Sequence, residues 1–126
     1  MAKRRILIID DEDDIREVAQ LSLETVAEWE VLTAGSGYEG LRVAEAEQPD
    51  AILLDVMMPE MDGTTTFKKL LANPNIAGIP VVLLTAKIQA SDRRGFSGLG
   101  VRGLLAKPFD PMTLAGELAQ ILGWQI

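Results

Sequence analysis

The sequence predicts an α/β domain in which a parallel sheet of five strands is covered by helices on both faces. Short apolar runs alternate strictly with longer stretches of helical spacing along the 126 residues. Most of the short runs are continuously apolar, as strands covered on both faces should be. Five β/α units in strict alternation imply parallel strands joined by right-handed crossovers.

The first strand candidate, Arg5 to Asp10, leads into the acidic run Asp10 to Asp14. Asp13 and Asp14 suit the start of a helix from Asp14 to Val26, where a carboxylate meets the positive end of the helix dipole. A second strand, Glu30 to Ala34, precedes a helix from Tyr38 to Glu47, with Ser36 and Glu39 spaced as a capping box. The third strand, Ala51 to Asp55, is followed by turn chemistry at Pro59 and Asp62-Gly63, then a helix from Thr64 to Leu71. Ile79 to Leu84 forms the fourth strand. The helix after it, Ala90 to Leu99, is expected to be short or mobile, because Gly95, Gly98 and Gly100 each lower helical propensity. Gly103 to Ala106 is the fifth strand, and a helix from Met112 to Leu122 follows Asp110-Pro111, a carboxylate cap ahead of a proline. Gly123 suits its stop.

The length fits one domain spanning residues 1–126. Hydrophobic residues at 48% and charged residues at 25% match ordinary globular usage. The early apolar run Ile6 to Ile9 is too short for a secretory segment or a membrane span, so a cytoplasmic protein without membrane contact is expected. The absence of cysteine and histidine excludes disulfides and thiolate or imidazole metal sites, leaving oxygen ligands for any metal. A net charge of -7 argues against nucleic-acid binding, which needs clustered cations.

Asp10, Asp11, Asp55, Thr85 and Lys107 are distant in sequence, yet each falls at or just beyond the carboxyl end of a predicted strand. In an open parallel sheet those ends form the rim at which ligands bind. Three carboxylates crowded there repel one another, and a divalent cation removes the conflict. Mg²⁺ is the natural choice, with Mn²⁺ a second candidate, because hard cations take carboxylate oxygens and bridge them to phosphate. Asp10 and Asp11 would hold the ion, Asp55 would share it, Lys107 would supply a point charge and Thr85 a hydroxyl donor. An aspartate so placed can be the nucleophile of phosphoryl transfer.

Ile8-Ile9-Asp10-Asp11-Glu12, Leu53 to Gly63 (LLDVMMPEMDG), Leu84-Thr85-Ala86 and Ala106-Lys107-Pro108-Phe109 together resemble, in order, the four signature segments of response-regulator receiver domains of two-component signalling, of the single-domain, chemotaxis-regulator-like kind. The resemblance implies a doubly wound flavodoxin-like (βα)5 fold with strand order 2-1-3-4-5. It implies a phosphorelay switch that catalyses only its own phosphorylation and dephosphorylation, accepting phosphate on Asp55 from a sensor histidine kinase or phosphotransfer protein. The backbone carbonyl of Met57 becomes a further metal ligand, Thr85 and Lys107 respond to the phosphoryl group, and Lys107-Pro108 is cis. Ile15 and Pro108 become candidate kinase contacts. Met57 and Lys87, two residues after Asp55 and Thr85, flank the path of the water that hydrolyses the acyl phosphate. Leu104 stands where many receivers carry Tyr or Phe three residues before the lysine, so Leu104 is the candidate switch region and a rotating ring is absent. A separate downstream protein and a phosphorylation-dependent dimer are the remaining expected partners.

Singly, each residue has an ordinary reading: Asp55 a turn residue, Thr85 a cap, Lys107 a surface lysine, the acidic run a solvated helix start. Their joint placement outweighs those readings. A haloacid-dehalogenase-type phosphohydrolase resembles a D-x-D pattern, and here the second position is Met57. A flavin-binding flavodoxin needs a phosphate loop after the first strand, where Asp10-Asp11-Glu12 would repel it. A receiver-like module that does not use phosphorylation would not require all five site residues. Met57, Met58 and Met61 read as packing or loop residues, and Trp29, Trp124 and Tyr38 need no function.

Overall fold

The computed structural model describes residues 3–86 and 100–125. Its strands are β1 (Arg5–Ile9), β2 (Glu30–Ala34), β3 (Ala51–Asp55), β4 (Val81–Thr85) and β5 (Gly103–Ala106). Its helices among the described residues are α1 (Asp13–Val26), α2 (Gly37–Glu47), α3 (Gly63–Ala72) and α4 (Leu114–Leu122). All neighbouring strands pair in parallel, in the order β2-β1-β3-β4-β5. This is the doubly wound, flavodoxin-like order expected. The helix expected over Ala90 to Leu99 lies outside the described residues, as does Lys87.

Strand side chains alternate between two apolar layers, which is why the runs need no polar face. Ile6, Ile8, Leu53, Val82 and Leu84 pack with Leu23 of α1 and Leu114 and Leu118 of α4. Leu7, Ile9, Ile52, Leu54 and Leu83 pack on the other side with Ala44 of α2 and Phe67 and Leu70 of α3. Met58 and Met61 are buried, and Trp29 meets Trp124 edge to face at 5.0 Å, so these residues do serve packing.

The expected boundaries shift by one or two residues for local reasons. β1 ends at Ile9 because the Asp10 carboxylate accepts a bond from the Glu12 N–H at 2.9 Å and turns the chain. β4 starts only after Pro80, which lacks an N–H, and takes in Thr85. α4 starts at Leu114 rather than Met112, because the Asp110 carbonyl accepts from both Thr113 and Leu114 and holds residues 111–113 in a turn. Gly123, with φ +74°, ends α4 as expected. The Ser36 hydroxyl accepts from the Glu39 N–H, while the Glu39 carboxylate reaches back to the Gly35 N–H at 2.6 Å, one residue before the partner an ordinary capping box uses.

The start of α3 rests directly on the end of β3. A Cβ at Gly63 would lie 2.3 Å from the carbonyl oxygen of Asp55 and 2.7 Å from the Cα of Val56. Backbone cannot swing aside as a side chain can, so only glycine permits this approach. Overpacking of this kind costs about 1–3 kcal/mol. Gly63→Ala should therefore lower stability toward the upper end of that range in urea unfolding. It should also disturb ligands of the neighbouring Asp55, which a surface substitution such as Lys68→Ala should not.

Candidate functional site

The strand register delivers the site. Ile9 pairs with Leu54, so Asp10 arrives beside Asp55 at the rim. Thr85 pairs with Ala106, and the Lys107 N–H donates to the Thr85 carbonyl at 3.0 Å, which places the lysine at the same edge. The Lys107-Pro108 bond is cis, as the resemblance implies. Asp10, Asp55 and Thr85 are buried, with 0%, 2% and 5% of their surface exposed.

Lys107 Nζ donates to Glu12 Oε1 at 2.7 Å and Asp10 Oδ2 at 3.1 Å, and lies 3.4 Å from Asp55 Oδ2. The last distance is an ion pair rather than a well-formed hydrogen bond. Burial opposes the lysine's charge, but hydrogen bonds to Glu12 and Asp10 and the fields of Asp10 and Asp55 outweigh it and raise the Lys107 pKa above the ordinary range. The Asp55 carboxyl shifts from an ordinary 3.8 to about 6, because burial and the neighbouring Asp10 charge exceed the opposing effect of Lys107 and a bond from the Met57 N–H. Asp55 opens onto a pocket of about 360 Å³ lined by Glu12, Ile15, Met57, Ala86, Lys107 and Pro108.

Four carboxylates, Asp10, Asp11, Glu12 and Asp55, place one oxygen each within 4.8 Å of all the others. The residues fit a hard divalent cation on a second ground. Asp11 Oδ1 is a buried oxygen without a hydrogen-bond donor among the described residues, and Asp55 Oδ2, also without one, is met only by the Lys107 ammonium at 3.4 Å. Such atoms are costly to desolvate unless something positive satisfies them. Asp13, mostly exposed, pairs instead with Arg16 at the start of α1.

The family model described as response regulator receiver domain matches residues 6–119. The chain belongs to the receiver family. This receiver is 37% identical over 119 residues to the alkaline phosphatase synthesis transcriptional regulatory protein PhoP of Bacillus subtilis, covering 94% of the chain and 48% of that protein. It is 39% identical over 119 residues to the DNA-binding dual master transcriptional regulator RpaA of Synechocystis, again covering 94% and 48%. The receiver thus spans about half the length of these curated relatives. Among solved structures, the chemotaxis response regulator CheY4 of Vibrio cholerae superposes with a TM-score of 0.88 at 31% identity, covering 95% of the receiver and 99% of that chain. A receiver is a signalling switch rather than a metabolic enzyme.

Asp10, Asp11, Asp55, Thr85 and Lys107 of the receiver all reach the carboxyl rim, and Ile15, Met57 and Pro108 line its pocket. Leu104 lies apart, half-buried on β5 opposite Leu83. Glu12 is given no site role from the sequence, yet among the described residues it is the nearest acceptor of Lys107. Its presence inside the first signature segment was the available signal. Among the described residues no helix is long and apolar enough to cross a membrane.

The raised Asp55 pKa makes the metal-free protein less stable at neutral pH. A carboxyl whose folded pKa lies above its unfolded value binds more protons when folded, so stability falls as pH rises from about 4 to about 6 and the penalty is complete above that. In chelator, Asp55→Asn should exceed the parent in unfolding free energy by about 1–3 kcal/mol at pH 7.5, with the difference closing near pH 4. Urea unfolding of both proteins across that window measures it, and a pH-independent difference would contradict the shift.

Proposed function

We propose that this receiver accepts a phosphoryl group on Asp55 from a histidine kinase or phosphotransfer protein in a Mg²⁺-dependent reaction, and thereby alters the surface it offers to a separate protein target. The observation that carries the reading is the setting of Asp55: buried between Asp10 and Lys107, yet open to a pocket at the sheet's carboxyl rim.

Asp10, Asp11, Asp55 and the backbone carbonyl of Met57 would hold Mg²⁺, with Glu12 close by. When bound, the ion supplies positive charge to the carboxylates and to the oxygens of the entering group. One Asp55 oxygen attacks phosphorus, the bond to the kinase imidazole nitrogen breaks, and the imidazole keeps that electron pair. Lys107 then trades a carboxylate partner for a phosphoryl oxygen, and the Thr85 hydroxyl donates to another. The first experiment is intact mass after incubation with acetyl phosphate. A gain of one phosphate is expected with Mg²⁺, and none in excess chelator or in Asp55→Asn. Equal labelling in any of those arms overturns the assignment.

Signal output in this reading runs through Thr85 and the edge of the sheet. Leu83 and Leu104 are register partners two residues before Thr85 and Ala106, so movement of Thr85 acts on the layer in which Leu104 packs. Leu104 offers an aliphatic side chain where a ring would turn, so the change is one of packing. A net charge of -7 favours a protein target over nucleic acid for the surface of this domain.

Hydrolysis of the acyl phosphate is slow in this reading. The Met57 side chain, 75% exposed, borders the pocket and cannot orient an attacking water, and a lysine at position 87 can only donate. Met57→Asn combined with Lys87→Glu should speed phosphate loss about tenfold, roughly 1.4 kcal/mol in the barrier. Phosphate loss after donor removal at fixed Mg²⁺ measures it, and decay no faster than the parent's removes these two side chains as the determinants.

A further inference from the structure

The loop between β1 and α1 carries two of the acids assigned above to Mg²⁺, and each of its peptide groups has one identifiable anchor. The Asp10 N–H, at the front of the loop, donates to the Ala34 carbonyl at 3.1 Å. The Glu12 N–H, at its back, donates to the Asp10 carboxylate at 2.9 Å. Between them lies the peptide group that joins Asp10 to Asp11. Its carbonyl, that of Asp10, accepts from the Arg16 guanidinium at 2.6 Å. Rotation of that one peptide group would swing the Asp11 carboxylate relative to Asp10 and Asp55.

Arg16 is itself held. Its other terminal nitrogen pairs with Asp13, one turn back on α1, and its side chain is only 21% exposed. On the far side, a Cβ at Gly35 would lie 3.2 Å from Arg16 Nη1 and 3.6 Å from the Glu39 carboxylate. Gly35 is fixed in turn by the bond from its N–H to Glu39. The guanidinium is thus seated between the start of α1 and the β2–α2 turn, with one donor aimed at the middle of the acidic loop.

We propose that Arg16 is a positioning residue of the metal site: it pins the Asp10–Asp11 peptide group so that both carboxylates face the cation. This rests on the assignment of Asp10 and Asp11 to Mg²⁺. The physics sets two effects of opposite sign against each other. As a charge, a cation near the site repels Mg²⁺, so its removal would tighten binding. As a pin, its removal frees a ligand-bearing loop, and loss of an outer partner of a metal ligand weakens affinity roughly tenfold or more. The sign of the change therefore separates the roles.

The test is calorimetric titration of Mg²⁺ into the full chain and its variants, with thermal unfolding in chelator alongside. Arg16→Ala should weaken Mg²⁺ about tenfold, and Arg16→Gln, which keeps a donor but not the charge, should recover most of the loss. Asp13→Ala, which leaves the bond to the Asp10 carbonyl in place, should change affinity far less than Arg16→Ala. Gly35→Ala, which crowds the guanidinium without altering it, should weaken binding in the same direction. Unchanged or tighter binding in Arg16→Ala, or failure of Arg16→Gln to recover it, overturns the proposal. If Arg16→Ala does not fold, Gly35→Ala and Arg16→Gln decide it by the same signs. Amide exchange of Asp11 and Glu12 in chelator supplies a metal-free readout, expected to quicken in Arg16→Ala and to overturn the pin if it does not. A parent that binds no Mg²⁺ would remove the metal assignment, and the exchange result would still report on the pin.

Discussion

Negative charge has to be brought together at one edge of a sheet and kept there. Four carboxylates lie within 4.8 Å of one another, two of them on residues with almost no exposed surface, and a single ammonium group faces three of them. In water such a cluster would disperse. Here the backbone forbids it, because β1 and β3 are register partners and their carboxyl ends must arrive side by side. The hydrophobic layers on both faces hold that register, since slipping it by one residue would exchange the side chains of the two layers. The stability of the fold is therefore what holds the carboxylates in a conflict that a cation can relieve.

The same constraint explains why close backbone approaches cluster beside the rim. The first residue of α3 must lie against the backbone of Asp55 and Val56, and Gly63 permits that by lacking a Cβ. The loop between them closes through the Gly63 N–H to the Val56 carbonyl at 2.9 Å and the Met61 N–H to the Pro59 carbonyl at 2.7 Å. Asp62 caps α3 by accepting from Thr65 at 2.8 Å, a bond that also holds its own carboxyl below the usual range. The acids in this segment thus divide by what surrounds them: Asp62 is ionised and spent on a helix end, whereas Asp55 has few donors and stays available for chemistry.

Much of this was legible in the sequence, and the reasons are specific. Continuous runs such as Ile6-Leu7-Ile8-Ile9 and Ile52-Leu53-Leu54 read as parallel strands covered on both faces, and the polar residues that end them then mark the rim. Asp10, Asp11, Asp55, Thr85 and Lys107 could be named because each stands at or just beyond the end of such a run. Arg16 and Glu12 could not. Arg16 sits on α1 at a spacing any solvated helix would show, and its importance comes from Gly35 and the Asp10 carbonyl, which only the folded chain brings near. Glu12 reads as one more acid in an acidic run until the β5 end delivers Lys107 to it. Boundaries were least legible where a side chain redirects backbone bonds, as Asp10 does at the end of β1.

The two tight contacts of Lys107 are unequal, and the inequality suits a switch. Its partner Asp10 is wholly buried, whereas Glu12 is 57% exposed. An ion pair on the exposed side contributes little, because water competes for both groups and the glutamate loses rotamer freedom in holding it. The buried pair is different: removing either member would strand a charge, so Lys107 is retained at the rim in any state of the site. Retention by Asp10 with weak retention by Glu12 leaves one direction in which the ammonium can change partners at small cost. That direction faces the pocket on which Asp55 opens. In the proposed reaction a phosphoryl oxygen entering there would bring more negative charge than the Glu12 carboxylate it displaces, so the exchange would favour the modified state.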